Sequence, residues 1–162
     1  MAIIKHIDLK LLILISSLLL LEYSCSSIKS IKQDSKYAEA YLKINNVTLN
    51  KSNSWVIINK PGSCGDWICG ARLHNFILSN LTKPVSNVYL IIGNHYDGKL
   101  DSIVSSIKNI TTVYDVNNNL ARYGFNKIET RVLHYKNNKC ILSTNLNNDN
   151  YLEIGKKIKG DN

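Results

Sequence analysis

The chain has 162 residues, of which 44% are hydrophobic and 20% are charged. These values are ordinary for one globular domain with a short additional segment. The formal net charge of +8 is compatible with nucleic acid or an anionic membrane as a partner. No run of five basic residues occurs, however, and this argues against nucleic-acid binding. We therefore expect a solvated basic surface and no nucleic-acid partner.

The N-terminus has the pattern of an export signal. Lys5 and Lys10 precede an apolar stretch over residues 11–21, which has about the length of a signal peptide and is too short to span a bilayer comfortably. Ser24 and Cys25 follow, and they resemble a bacterial lipobox, in which a small residue precedes the Cys that becomes diacylated. The sequence therefore predicts an exported lipoprotein with its lipid on Cys25.

Two residues of this segment depart from the lipobox pattern. Glu22 and Tyr23 stand where smaller or aliphatic residues are usual, so ordinary cleavage and an uncleaved anchor remain alternatives. No Asp follows Cys25, and we expect attachment to the outer membrane facing the periplasm, where disulfides persist. The predicted organisation is a lipoprotein-type signal peptide (1–24), a polar tether (25–35) and one domain (36–162).

Beyond the tether, apolar patterns of strand and helix type alternate. Residues 36–50 fit either a helix or a short edge strand. The run 85–93 is apolar on both faces, as a central parallel strand should be. The predicted strands are 55–59, 85–93, 111–116, 130–135 and 139–144, and the predicted helices are 66–81, 100–110 and 151–159, with a helical turn over 120–123. Strands alternating with helices, followed by an antiparallel hairpin, predict a mixed α/β sheet with helices on both faces.

The residues with the clearest chemical potential, two cysteines, lie in the stretch 55–81. A β-branched strand leads to a turn marked by Pro61 and Gly62, then to Cys64 and Cys69, and then to the first helix. A cysteine at a helix N-terminus has its thiolate stabilised by the helix dipole and by free backbone N–H groups. This is the geometry that thiol–disulfide chemistry uses.

The order of elements and two local motifs resemble the thioredoxin-like fold. The strand followed by Cys64 and Cys69 looks like that family's strand-then-cysteine motif. Residues 114–140 are similar to its second half, with an acidic strand end, a Tyr-Gly helical turn, an Ile-x-Thr loop and a hairpin. The resemblance covers about residues 50–145. Together with the export signal, it is similar to the membrane-tethered thiol–disulfide oxidoreductases of the bacterial envelope.

The resemblance implies roles for particular residues. Cys64 would attack a disulfide and Cys69 would resolve the mixed disulfide, with protein thiols and disulfides of the periplasm as partners and no organic cofactor. Trp67, Glu129 and Thr130 would lie near the cysteine loop and contact the substrate. We expect no metal at this site.

Three departures from the family favour an alternative, a redox-inactive binding module. The spacing is Cys-x4-Cys rather than Cys-x-x-Cys, so Cys64 must lie in the loop before the helix if the pair is to bond. Glu129 replaces the family's cis-proline, so this peptide is expected to be trans. Ile57 replaces a buried acid on the first strand.

Other interpretations of the cysteines remain open. Cys69-Gly-Ala-Arg72 is also similar to a motif whose second cysteine has become Arg, which would leave a single reactive thiol. A copper metallochaperone would require His74 or His134 to point at the same sulfurs. Cys140, in the predicted hairpin, is interpreted as a buried small hydrophobe.

Overall fold

The computed structural model describes residues 9–59, 67–82, 86–93, 102–125, 130–147 and 149–160, without the side chains of 9–12, 17–29, 67–72 and 74. The helices are α1 (Leu9–Ile44), α2 (Trp67–Asn80) and α3 (Tyr151–Lys159), with a 3₁₀ helix at Asn119–Tyr123. The strands are β1 (Asn53–Asn59), β2 (Asn87–Ile92), β3 (Ile110–Tyr114), β4 (Arg131–Lys136) and β5 (Lys139–Asn145). Among the residues described, none of the helices combines the length and hydropathy that crossing a bilayer requires.

The five strands form one mixed sheet in the order β3-β2-β1-β4-β5. β1 is parallel to β2, and β2 is parallel to β3. β4 is antiparallel to β1, and β5 is antiparallel to β4. The predicted mixed α/β sheet is confirmed, and the arrangement is compatible with a thioredoxin-like fold.

Alternate side chains of the central strands enter two apolar layers on opposite faces of the sheet. Ile57 and its neighbours on one face pack against α2 and α3, through residues such as Phe76 and Ile158. Ile58 and its neighbours on the other face pack against the second half of α1 and the 3₁₀ helix, through residues such as Tyr41. Helices therefore cover both faces, as the sequence predicts.

The helix predicted over 100–110 is shorter than expected. In the described part it is helical only at 102–104, and turns follow. Ser105 Oγ and Ser106 Oγ donate to the carbonyls three residues earlier, at 3.3 and 2.7 Å, and such bonds compete with helix formation. Asn109 then adopts φ +67°, and Ile110 pairs with Val88 as the first residue of β3.

α1 includes both the predicted tether 25–35 and the ambiguous start of the domain. It ends where Asn46 adopts φ +57°, and the Val47 N–H then bonds the Leu42 carbonyl at 2.9 Å. The Asp34 carboxylate accepts two bonds from Arg131, at 3.0 and 2.5 Å. It also accepts one from Ser143 Oγ at 2.6 Å. These contacts join α1 to the β4–β5 hairpin.

Candidate functional site

The carboxyl ends of the three parallel strands meet at one edge of the sheet, here called the carboxyl edge. The Gly93 N–H donates to the Asn59 carbonyl at 2.7 Å, and the Asp115 N–H donates to the Ile92 carbonyl at 2.8 Å. β4 begins at the same edge, because Ile58 pairs with Arg131. Sites in open α/β sheets form preferentially at this edge.

Thr130 is placed at the carboxyl edge. Its hydroxyl donates to Asn59 Oδ1 at 3.0 Å, and its carbonyl accepts the Leu146 N–H at 2.7 Å. Asn59 is the last residue of β1 and is 7% exposed. The bond therefore connects the strand that leads to the cysteine stretch with the strand that follows the Ile-x-Thr motif. Of the residues predicted for the site and for lipidation, Thr130 is the one whose side chain is within the described part of the structure.

The other predicted site residues are described less fully. α2 begins at Trp67, which follows Cys64 by three positions. The backbone of Cys69 therefore lies in the first turn of α2, where the helix N–H groups lack intrahelical partners. Cys64 and Glu129 lie outside the described residues, as do the side chains of Trp67, Cys69, Arg72 and His74 and that of Cys25 in α1.

The centre of β1 beneath α2 is apolar at Ile57, where the resemblance noted above would place a buried acid. Ile57 is fully buried and packs in the same cluster as Leu73 and Phe76 of α2. A branched aliphatic side chain offers no acceptor for a proton, so the chain provides no carboxylate at this point beneath α2.

Asp115, the acidic strand end of the motif, caps the 3₁₀ helix. Its carboxylate accepts the N–H of Asn119 at 2.7 Å and that of Leu120 at 2.9 Å. The residue is 2% exposed. Burial raises the pKa of the Tyr41 phenol, and the nearby Asp115 carboxylate raises it further. The contacts made by Asp115 are those of a structural cap.

His134 is far from the carboxyl edge. Its ring stacks on Trp55 with centroids 3.9 Å apart and planes 5° apart, and Nε2 lies 3.3 Å from Asn53 Oδ1. His134 pairs with Trp55, which is about 13 Å along β1 from Asn59 at ~3.3 Å per residue. This placement does not fit a shared site with the cysteine stretch. Within the described ranges, no group of three or more His, Cys, Asp and Glu residues is arranged to hold a metal ion.

Cys140 is a free, half-buried thiol on β5. Its Sγ donates to the Leu142 carbonyl at 3.2 Å. Burial raises the pKa of the Cys140 thiol to about 11. A thiol of this pKa is a poor nucleophile at neutral pH, which agrees with its interpretation as a small hydrophobe.

A groove not predicted from the sequence lies between α1, residues 47–51 and the start of β5. We call it the lysine groove. Its volume is about 1060 Å³. Five lysines line it: Lys32, Lys36, Lys43, Lys51 and Lys139. Lys36 follows Lys32 by four residues and Lys43 follows Lys36 by seven, so a helix places all three on one side. This regular spacing is the feature of the sequence that indicates a basic helix face.

Comparisons of the chain with protein-family models, curated proteins and solved structures find no match. The fold itself defines a mixed α/β protein whose five-stranded sheet is flanked by helices. Its carboxyl edge, with the Thr130–Asn59 contact and the start of α2, is the candidate functional site.

Proposed function

We propose that the protein is a thioredoxin-like thiol–disulfide oxidoreductase, lipid-anchored at Cys25 and facing the periplasm, that exchanges disulfides through Cys64 and Cys69. The observation that carries the proposal is the start of α2 between the two cysteines. Trp67 begins the helix, Cys64 precedes it in the chain, and Cys69 follows in its first turn. A helix start between the cysteines is what the pair needs if it is to bond despite its long spacing.

The proposed reaction is a two-electron exchange between dithiol and disulfide. The Cys64 thiolate attacks one sulfur of the partner's disulfide, forming a mixed disulfide and releasing the partner's other sulfur as a thiolate, which takes up a proton. The deprotonated Cys69 then attacks the Cys64 sulfur and releases the second partner thiol. The partner is reduced and the Cys64–Cys69 pair is oxidised; the reverse direction uses the same steps.

The Thr130–Asn59 bond supports a binding role for the loop before β4. It fixes Thr130, directly before β4, beside the end of β1. A rigid contact of this kind preorganises a surface for a substrate segment. Trp67, at the start of α2, is the proposed aromatic contact on the other side.

A redox-inactive binding module is the second candidate, and Ile57 favours it. The buried aliphatic side chain beneath α2 removes a group that could accept the proton of Cys69. A module that only binds would keep the Thr130–Asn59 contact and dispense with proton transfer.

Trapping experiments separate the two candidates. We expect Cys69→Ser to accumulate a mixed disulfide with a disulfide-bonded peptide, because the resolving thiol is gone, whereas Cys64→Ser forms none. Cys140→Ser is the matched control and should behave like the wild type. Absence of a mixed disulfide in Cys69→Ser would support the binding module.

The lipid anchor has its own test. Metabolic labelling with a fatty acid should mark the wild-type protein and fail to mark Cys25→Ser. Labelling that persists in Cys25→Ser would contradict the anchor at this residue, while ordinary cleavage would give an unlabelled protein shortened at its N-terminus.

A further inference from the structure

We propose that the lysine groove binds an anionic phospholipid of the membrane to which the protein is anchored. The inference rests on the membrane attachment in the proposed function and is independent of its redox chemistry. Three features of the groove support it: its excess positive charge, the apolar part of its lining and its position on α1.

The charge of the groove is strongly positive. Five lysines and one acid, Glu39, line it. Glu39 is engaged by Lys51, whose Nζ lies 2.5 Å from its carboxylate. In the described part of the chain the other four lysines have no carboxylate partner, since the remaining salt bridges there join other residues. A ligand that fills the groove should therefore be anionic.

The lining between the lysines is partly apolar, with Ser35, Thr48 and Asn138 as further polar members. Ile31 and Ala40 of α1 and Val47 and Leu49 of the following segment all contribute to it. The volume of about 1060 Å³ slightly exceeds the range of about 300–1,000 Å³ typical of small-molecule sites. An inorganic anion would leave most of this space empty. Apolar side chains beside several lysines suit an anionic amphiphile, whose chain would contact the apolar residues and whose headgroup would contact the lysines.

The groove is preformed. Tyr89 accepts the Asn50 N–H at 2.9 Å and donates to the Thr48 carbonyl at 3.1 Å, which holds the segment after α1 against the sheet. The Asn138 N–H donates to the Lys51 carbonyl at 3.0 Å and ties this segment to the β4–β5 turn. Rigid walls lower the ordering cost of binding.

The position of the groove on α1 favours a membrane lipid over an acidic protein segment. α1 is continuous from Leu9 to Ile44, so Cys25 and the groove share one helix. Lys32 follows Cys25 by seven residues, about 10 Å along the helix axis at ~1.5 Å per residue. The near end of the groove therefore lies within reach of the headgroups around a lipid on Cys25, where basic residues are attracted to anionic lipid.

Residue-resolved lysine acylation tests the proposal on the full chain. The protein is reconstituted in vesicles of phosphatidylcholine, or of phosphatidylcholine with phosphatidylglycerol, and treated with a water-soluble acetylating ester. Mass spectrometry then gives a rate for each lysine. We expect Lys32, Lys36, Lys43 and Lys139 to react at least threefold more slowly in the anionic vesicles. Lys156 and Lys157, on the opposite face of the sheet, should react equally in both.

Matched variants identify the groove as the cause. The triple variant K32Q/K36Q/K139Q should abolish the protection of Lys43 in anionic vesicles. The control K156Q/K157Q/K159Q removes the same amount of charge from α3, and in this variant Lys43 should stay protected. Equal rates in the two vesicle types would overturn the proposal. So would equal protection by inorganic phosphate or by polyglutamate added to phosphatidylcholine vesicles, the latter pointing to an acidic protein segment as the occupant.

Failure of this inference can be distinguished from failure of the proposed function. If the protein floats with phosphatidylcholine vesicles and exchanges disulfides but shows no lysine protection, only lipid binding in the groove is rejected. If it does not float with phosphatidylcholine but is protected by anionic vesicles, the anchor is rejected and the groove is supported. If it does neither, both are rejected.

Discussion

The Thr130 hydroxyl donates a hydrogen bond to Asn59 Oδ1 at 3.0 Å, between residues 71 positions apart in the chain. Asn59 ends β1, which leads towards the two cysteines, and Thr130 directly precedes β4. The bond therefore closes the carboxyl edge between an antiparallel pair of strands. In the proposed enzyme it would hold the substrate-binding loop beside the cysteine stretch.

Loss of this bond should be measurable as a loss of stability. We expect Thr130→Val to lower the free energy of unfolding by about 1–2 kcal/mol, because the buried Asn59 oxygen loses its donor. Thr144→Val is the matched control on β5. Its hydroxyl makes only a 3.5 Å contact with the adjacent carbonyl, so a loss under about 0.5 kcal/mol is expected. Equal losses in urea unfolding would show that the Thr130–Asn59 bond has no special role.

The Asp34–Arg131 pair should be needed to hold α1 on the hairpin. The two side chains are only 17% and 24% exposed, and Asp34→Asn leaves the guanidinium without its anion. We expect a loss of about 2–3 kcal/mol and faster amide exchange in residues 30–44. Glu153→Gln removes a pair whose side chains are 66% and 50% exposed, and it should leave the free energy of unfolding almost unchanged. Unchanged exchange in α1 after Asp34→Asn would refute this role.

Gly124 should be irreplaceable for two reasons. It adopts φ +81°, and a Cβ at this position would meet the Tyr37 ring. Gly124→Ala should therefore cost about 1 kcal/mol for the left-handed backbone and more for displacing the ring. Gly160 has φ +79° and is exposed, so Gly160→Ala isolates the backbone cost. A Tm of Gly124→Ala no lower than that of Gly160→Ala would mean that the Tyr37 contact contributes nothing.

His134 should make the fold sensitive to mild acid. Burial lowers its pKa below the ordinary value of 6.5, and the charges of Lys136 and Lys157 lower it further. Below about pH 6.5 the unfolded chain therefore binds the proton more readily than the folded chain, and the free energy of unfolding falls as the pH drops from about 7.5 towards the folded-state pKa.

A ring that cannot titrate tests this dependence. His134→Phe retains a planar ring against Trp55, and its unfolding free energy should be flatter with pH between about 7.5 and 5 than that of the wild type. The pKa of Glu153 is lowered by its bond to Lys157, so its contribution is lost only below its ordinary pKa of 4.5 and lies outside this window. A slope unchanged in His134→Phe would assign the acid sensitivity to other groups.

Elements specified by local pattern were predicted well from the sequence. The run Val88–Ile92 is buried on both faces, and it forms a strand parallel to a neighbour on each side. The hairpin follows from Asn137 and Asn138, which adopt φ +51° and +65° as a tight turn requires. α3 has the predicted bounds, Tyr151–Lys159.

Features that depend on distant residues were not predicted. The partner of Asp34 is 97 positions away, so nothing in the sequence around Asp34 indicates that this residue binds the hairpin. The helix predicted over 100–110 ends early because Ile110 pairs with β2, a preference that overrides the helical spacing of the isoleucines. The lysine groove combines three separate segments and becomes evident only in the fold.

The reduction potential of the Cys64–Cys69 pair is the most direct test of the proposed oxidoreductase. The full chain, solubilised in detergent, is equilibrated in glutathione buffers, and differential alkylation with mass spectrometry gives the oxidised fraction of each cysteine. We predict a reversible pair with a potential between about −120 and −270 mV, with Cys140 remaining reduced. A pair that never forms, or one that stays oxidised below about −300 mV, would contradict the proposal and leave a structural disulfide or a binding module.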